Sequence, residues 1–240
     1  MAARNTPPVR RLPRVSAEDY PVRVNYASPR RTRAAADIAL MSLWLLSFIW
    51  VWAKAFPGAF YVCVAGYALL IHASRRAAGD SLRDVGFRLD TVGPALWRVA
   101  FLVAIFGGGT VAAGWALGSL SFDPAAKWPN RLAWGALWGF AQQVGLLAFF
   151  YRRFVELLRS ELLAAPAAGA TFALFHLPNP FLVALTAILG TVAALMYRRA
   201  PNLWVYGGAH GLTSWMVSRS LPASVTHLMR VGPGYWSMAG

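Results

Sequence analysis

Apolar residues gather into seven blocks along this chain, at about 35–53, 58–74, 95–119, 131–151, 162–179, 181–197 and 201–218, with short polar stretches between them. A helix needs about 20 mainly apolar residues to cross a bilayer, and most of the blocks approach or reach that length. The second, fifth and sixth are the shortest. All are too long and too evenly apolar for strands, and a membrane barrel would alternate apolar with polar positions. Pro57-Gly58 turns the chain after the first block, and Asn179-Pro180 separates the fifth from the sixth, because the residue before a proline disfavours helix. The pattern predicts an all-α protein, a polytopic membrane helical bundle of about seven transmembrane segments over residues 34–220.

Composition agrees: 58% of the residues are hydrophobic and 13% charged, more apolar sequence than a soluble core of 240 residues requires. The net charge of +14 would suit nucleic acid, but the arginines bracket the apolar blocks instead of forming a stripe on a polar fold. Anionic lipid headgroups are therefore the expected partner and nucleic acid is not. With the N-terminus inside, eighteen of the 23 basic residues fall on the inner side and five on the outer. That is the asymmetry of the positive-inside rule. The expected location is the cytoplasmic (inner) membrane of a bacterium. Trp128, Trp134 and Trp204 near block ends suit interfacial belts. Residues 1–33, with eight arginines and five prolines, read as a disordered basic arm against an anionic leaflet or as an uninvolved terminus. This polar leader is not expected to be a cleavable signal. Residues 221–240 form a C-terminal tail. The polar stretch Ser74–Asp90 suits either a short amphipathic helix on the inner leaflet or a solvated loop. His72 and His227 read as interfacial, and Cys63, the only cysteine, as a small buried hydrophobe.

Within the apolar blocks a few polar residues stand out. Gln142 and Gln143 lie near the middle of the fourth block, His176 ends the fifth, and His210 and Ser214 lie in the seventh. Polar groups at such depth usually face a bundle interior or a cavity. Phe172 and His176 are four residues apart, as are His210 and Ser214, so each pair shares a helix face. From Pro124 to Val155, and from Leu162 to Gly240, there is no Asp or Glu. Any site these residues build works without an intramembrane carboxylate.

Order and spacing give the stretch 94–218 a resemblance to the CPBP family, also called Abi or CAAX-protease-like, which includes type II CAAX prenyl endopeptidases. Three motifs mark that family: a Glu-Glu pair followed four residues later by Arg, then Phe-x-x-x-His, then His-x-x-x-Asn. Here they read QQVGLL at 142–147, FALFH at 172–176 and HGLTS at 210–214. The basic exit AFFYRRF after the first motif and the turn ALMYRRAPNLWVYGGAH before the third also fit.

The resemblance implies an intramembrane endopeptidase acting on a membrane or lipidated peptide, with Gln142 and His176 at the water-activating positions. It also implies that His210 and Ser214 stand at the oxyanion positions, with Gln143 in place of the second glutamate and Leu147 in place of the arginine. A glutamine amide has almost the shape of a carboxylate but cannot take a proton from water at neutral pH. Loss of both anions together with the arginine keeps the site electrostatically balanced. Hydrolysis would then fall to His176 as sole base, with Gln142 orienting water and His210 polarising the carbonyl. The alternative is an inactive relative that binds or chaperones a helix or lipidated peptide. A small-molecule carrier is a weaker reading, since no charged relay is present. A divalent metal between His176 and His210 is weaker too, because two imidazoles with amide oxygens make a poor zinc set.

Overall fold

The computed structural model describes residues 29–122 and 124–238, and all seven apolar blocks are helical in it. Helix α1 (Pro29–Ser47) ends in a π-helical turn, Phe48–Trp52, and is followed by α2 (Ala59–Ala78) and α3 (Val92–Ala116). Helix α4 (Trp128–Gln143) continues through a π-helical stretch, Val144–Tyr151, into α5 (Arg152–Leu158). With the 3-10 turn before it, this makes one rod of 34 residues, Ala125–Leu158. The chain then forms α6 (Glu161–Leu174), α7 (Pro180–Tyr197), α8 (Leu203–Ser220) and a short α9 (Ala223–Thr226). No strand occurs among the described residues.

Four of these rods are long and apolar enough to cross a membrane: Arg30–Trp52, Val92–Ala116, Ala125–Leu158 and Pro180–Tyr197. Their apolar surface faces outward. Only 11% of the apolar window of the first rod and 22% of that in α3 is buried. Val51, Tyr61, Trp97, Phe101, Trp115 and Ile188 all project from the bundle. An outer surface of this kind requires lipid as its solvent. Helix α6, at 14 residues, spans roughly 21 Å at about 1.5 Å per residue. Helix α8 is less apolar because it carries His210, Thr213, Ser214, Ser218 and Arg219.

Between helices in lipid, association rests on close packing and hydrogen bonds instead of apolar burial. Glycines supply the close packing here. Gly135 and Gly139 on α4 face Gly207 and Gly211 on α8, and a Cβ on Gly139 would lie 2.5 Å from the Gly211 nitrogen and 2.6 Å from the Gly207 oxygen. The two backbones therefore touch. Gly169 on α6 meets α7 in the same way, where a Cβ would lie 2.7 Å from the Ala187 oxygen. The π-helical stretch occupies the centre of the bundle, and every residue from Gly145 to Tyr151 is buried.

Capping side chains fix where the helices enter. Asn202 Oδ1 accepts from the Val205 N–H at the start of α8, and its Nδ2 donates to the Arg88 carbonyl. Asn179 Oδ1 does the same for Leu182 in α7, while its Nδ2 donates to the carbonyls of Thr226 and Arg230. The C-terminal tail is thereby held against the α6–α7 turn. At the other end of the chain, α1 already begins at Pro29. Arg30 and Arg31, read above with the basic arm, donate to the carbonyls of Ala78 and Leu157, at the last turns of α2 and α5. Basic groups at helix C-termini satisfy orphan carbonyls and oppose the helix dipole. Residues 1–28 of the arm lie outside the described residues.

The Ser74–Asp90 segment is not an amphipathic helix. Helix α2 runs to Ala78, Gly79 caps it at φ 73°, and residues 80–91 form a loop. Two features break the helix. Asp84 is drawn into local bonds with the Ser81 amide and hydroxyl, and Asp80 is drawn to α5. Asp80 pairs with Arg152 at 2.5 Å and with Arg153 at 2.6 Å, and Arg153 also reaches Glu156 at 3.0 Å. These arginines do not lie free in the headgroup region: their side chains are 1% and 3% exposed. On the open side of the loop, Arg88 holds the Asp90 carboxyl below its usual range through a direct hydrogen bond. Removing one partner of a buried pair strands the others, at a typical cost of about 3–5 kcal/mol. Asp80→Ala should therefore lower stability by about that amount in detergent-solubilised protein. A denaturation midpoint unchanged from wild type would show that the cluster is not a fastening.

Candidate functional site

The glycine contact between α4 and α8 decides which polar groups meet. Gln143 follows Gly139 by one turn, and His210 precedes Gly211. With the backbones in contact, Gln143 Nε2 lies 2.8 Å from His210 Nδ1. An amide nitrogen can only donate, so the imidazole accepts at Nδ1 and carries its own proton on Nε2.

His176 is fixed differently. It follows the last turn of α6, where its Nδ1 lies 2.7 Å from the Phe172 carbonyl oxygen. A carbonyl can only accept, so Nδ1 of His176 carries the proton and Nε2 is left with its lone pair. The Phe172 ring makes edge contacts with both histidines, with centroids 4.8 Å from His176 and 6.0 Å from His210. One imidazole thus offers an acceptor at Nε2 and the other a donor.

Gln142, Gln143, His176, His210 and Ser214 all line one cavity of about 1000 Å³. Its walls are mainly apolar and aromatic, with Phe106, Trp134 and Trp138 among them, and arginines contribute at Arg75, Arg131 and Arg219. No Asp or Glu lines it among the described residues. Gln142 Oε1 and Gln143 Oε1 are buried and, among the described residues, have no hydrogen-bond partner. Leu147 is fully buried in the apolar core. His72 also lines the cavity, whereas His227 packs against Tyr235 with the rings tilted by 44°. No group of three His, Cys, Asp or Glu side chains assembles to hold a metal among the described residues.

The model of the Rce1-like family, type II CAAX prenyl endopeptidases, matches residues 86–216, more than half of the chain. The chain belongs to this family. The match agrees with the CPBP resemblance of the three motifs and starts earlier, at residue 86 instead of 94. It thus takes in part of the loop that docks on α8. No curated protein and no solved structure matches the chain.

All five polar residues singled out in the sequence share the cavity, though only Gln143 and His210 are directly bonded. The glycines that bring α4 and α8 together were not singled out. Their signal was present as two Gly-x-x-x-Gly spacings, GALWG at 135–139 and GAHG preceded by Gly207 at 207–211. Gln143→Leu would leave His210 Nδ1 buried without a partner, at a cost of roughly 1–3 kcal/mol. The expected outcome is a lower melting temperature and displaced ¹⁵N signals of the His210 ring. A variant matching wild type in both would show that the bond contributes nothing.

Proposed function

We propose that this chain is a multi-pass protein of seven spans with its N-terminus inside, in the cytoplasmic membrane of a bacterium, that hydrolyses a membrane or lipidated peptide at a carboxylate-free site. The observation that supports it is the complementary pair of histidines on one cavity: His176 with a free Nε2 lone pair and His210 with an Nε2 donor. In this reading Gln142 orients a water, His176 takes its proton, and His210 with Ser214 stabilises the oxygen that becomes negative. The apolar walls receive the lipid or side chains of the substrate. The partner of the protein's basic inner face is an anionic leaflet.

The lack of a carboxylate lining the cavity among the described residues favours a second reading, a relative that holds such a peptide without cutting it. A well-placed general base is worth about 10²–10⁴-fold in rate, so either reading implies weak or absent turnover beside a Glu-Glu relative. The two separate in one experiment with protein reconstituted in liposomes and offered prenylated and transmembrane peptides. Hydrolysis predicts slow cleavage by wild type and none by His176→Ala or His210→Ala. Crosslinking without product from wild type, weakened by Gln142→Ala, would instead establish the binder. The triple variant Gln142→Glu, Gln143→Glu, Leu147→Arg should raise the rate by roughly 10²–10⁴-fold if the cavity is otherwise competent. A folded triple variant with no gain would count against a protease-shaped site.

A further inference from the structure

Helix α4 changes from α to π geometry immediately after Gln143, and a side chain from another helix stands at that point. Tyr67 of α2 donates its hydroxyl to the Ala141 carbonyl at 2.6 Å. The same hydroxyl lies against Gly145, the second residue of the π-helical stretch. In a regular α-helix the Gly145 N–H would bond the Ala141 carbonyl directly, four residues back. The Tyr67 hydroxyl thus bridges α2 to a carbonyl of the α4 ladder at the point where the α geometry ends. Insertion of a side chain into the helix ladder is a recognised cause of local distortion, and single π turns cluster at functional sites.

Gly145 makes room for the bridge. A Cβ there would lie 2.5 Å from the Tyr67 oxygen and 3.3 Å from the nearest ring carbons. The three residues between Ala141 and Gly145 are Gln142, Gln143 and Val144, and the directions of the two glutamines depend on how the helix winds there. Tyr67 lies outside the family match at 86–216, so nothing in that match assigns it a role.

The structure assigns Tyr67 as a positioning residue: its hydroxyl anchors the Ala141 carbonyl where α4 passes from α to π geometry, and so aims Gln143 at His210 and Gln142 into the cavity. It touches no reacting atom and acts through the helix. The inference rests on the reading of Gln142, Gln143 and His210 as one site, but its test does not require turnover.

The test uses full-length protein in detergent micelles with ¹⁵N-labelled histidine, the His210 signals being those lost in His210→Ala. Tyr67→Phe keeps the ring and removes only the bridging oxygen. With the Ala141 carbonyl released the helix should rewind there, Gln143 should swing away, and the His210 ring-nitrogen signals should shift as they do in Gln143→Leu. A folded Tyr67→Phe protein with wild-type His210 signals would overturn the assignment. A second arm compares Gly145→Ala in two backgrounds. In wild type the added methyl meets the hydroxyl oxygen and should lower Tm. In Tyr67→Phe the loss should be at least roughly twofold smaller, the non-additivity expected of groups in contact. Equal losses would also overturn it. If both arms succeed while no peptide is ever bound or cleaved, Tyr67 keeps its role and the proposed function fails.

Discussion

Everything at the centre of this bundle depends on two helix backbones being allowed to touch. In lipid an apolar side chain gains little by leaving tails for another helix, so attraction falls to dispersion and hydrogen bonds at short range. Gly139, Gly207 and Gly211 remove the Cβ atoms that would keep α4 and α8 apart. The same contact sets the distance across which a glutamine and a histidine can bond. Gln143 and His210 lie next to the glycines in sequence, so close packing and polar contact form one interface instead of two. Adding a methyl group at the crossing would separate the site before it disturbed any polar residue.

Charge is distributed by the same economy of burial. The cavity is lined by amides, imidazoles and the arginines Arg75, Arg131 and Arg219, while the carboxylates of Asp80 and Glu156 meet Arg152 and Arg153 beyond the π-helical stretch. That cluster ties the loop after α2 to α5. The loop in turn binds the start of α8 through Gly86, Arg88 and Thr91, using Asn202, Leu203 and Pro201 as partners. Ion pairing at one end of the rod thus reaches the helix that carries His210 through a continuous set of hydrogen bonds. A buried arginine in the motif itself, at the position of Leu147, would have required an anion that the core there does not offer.

The helices were legible because lipid imposes a single requirement, an uninterrupted apolar run, and Asn179, Asn202 and the turn glycines mark the ends. The common cavity was legible because polar residues are rare at such depth and stood four apart on shared faces. Other features depend on partners distant in sequence. Nothing local in RRAAGDSLRD shows that Asp80 will leave its own segment for α5, which decides between the surface helix and the loop that the sequence left open and docks the loop. The π-helical stretch is equally silent, since VGLLAFFY suits an α-helix, and what breaks it is a hydroxyl from α2. The positive-inside count treated Arg152 and Arg153 as headgroup charges because a sequence shows sign and not partners.

The exchange of glutamate for glutamine at 143 does more than delete a charge. A carboxylate can only accept, so beside His210 Nδ1 it would draw the ring proton to that nitrogen and leave Nε2 bare, or favour the doubly protonated ring. An amide nitrogen at the same 2.8 Å does the reverse and leaves the proton on Nε2. His210 therefore stays a hydrogen-bond donor without being charged, a form that costs far less to keep away from water than an imidazolium. His176 needs no such partner, because a backbone carbonyl that mutation cannot remove fixes its proton. Of the two histidines, the one whose tautomer depends on the altered motif is His210, and with glutamine beside it the ring remains a neutral donor at Nε2.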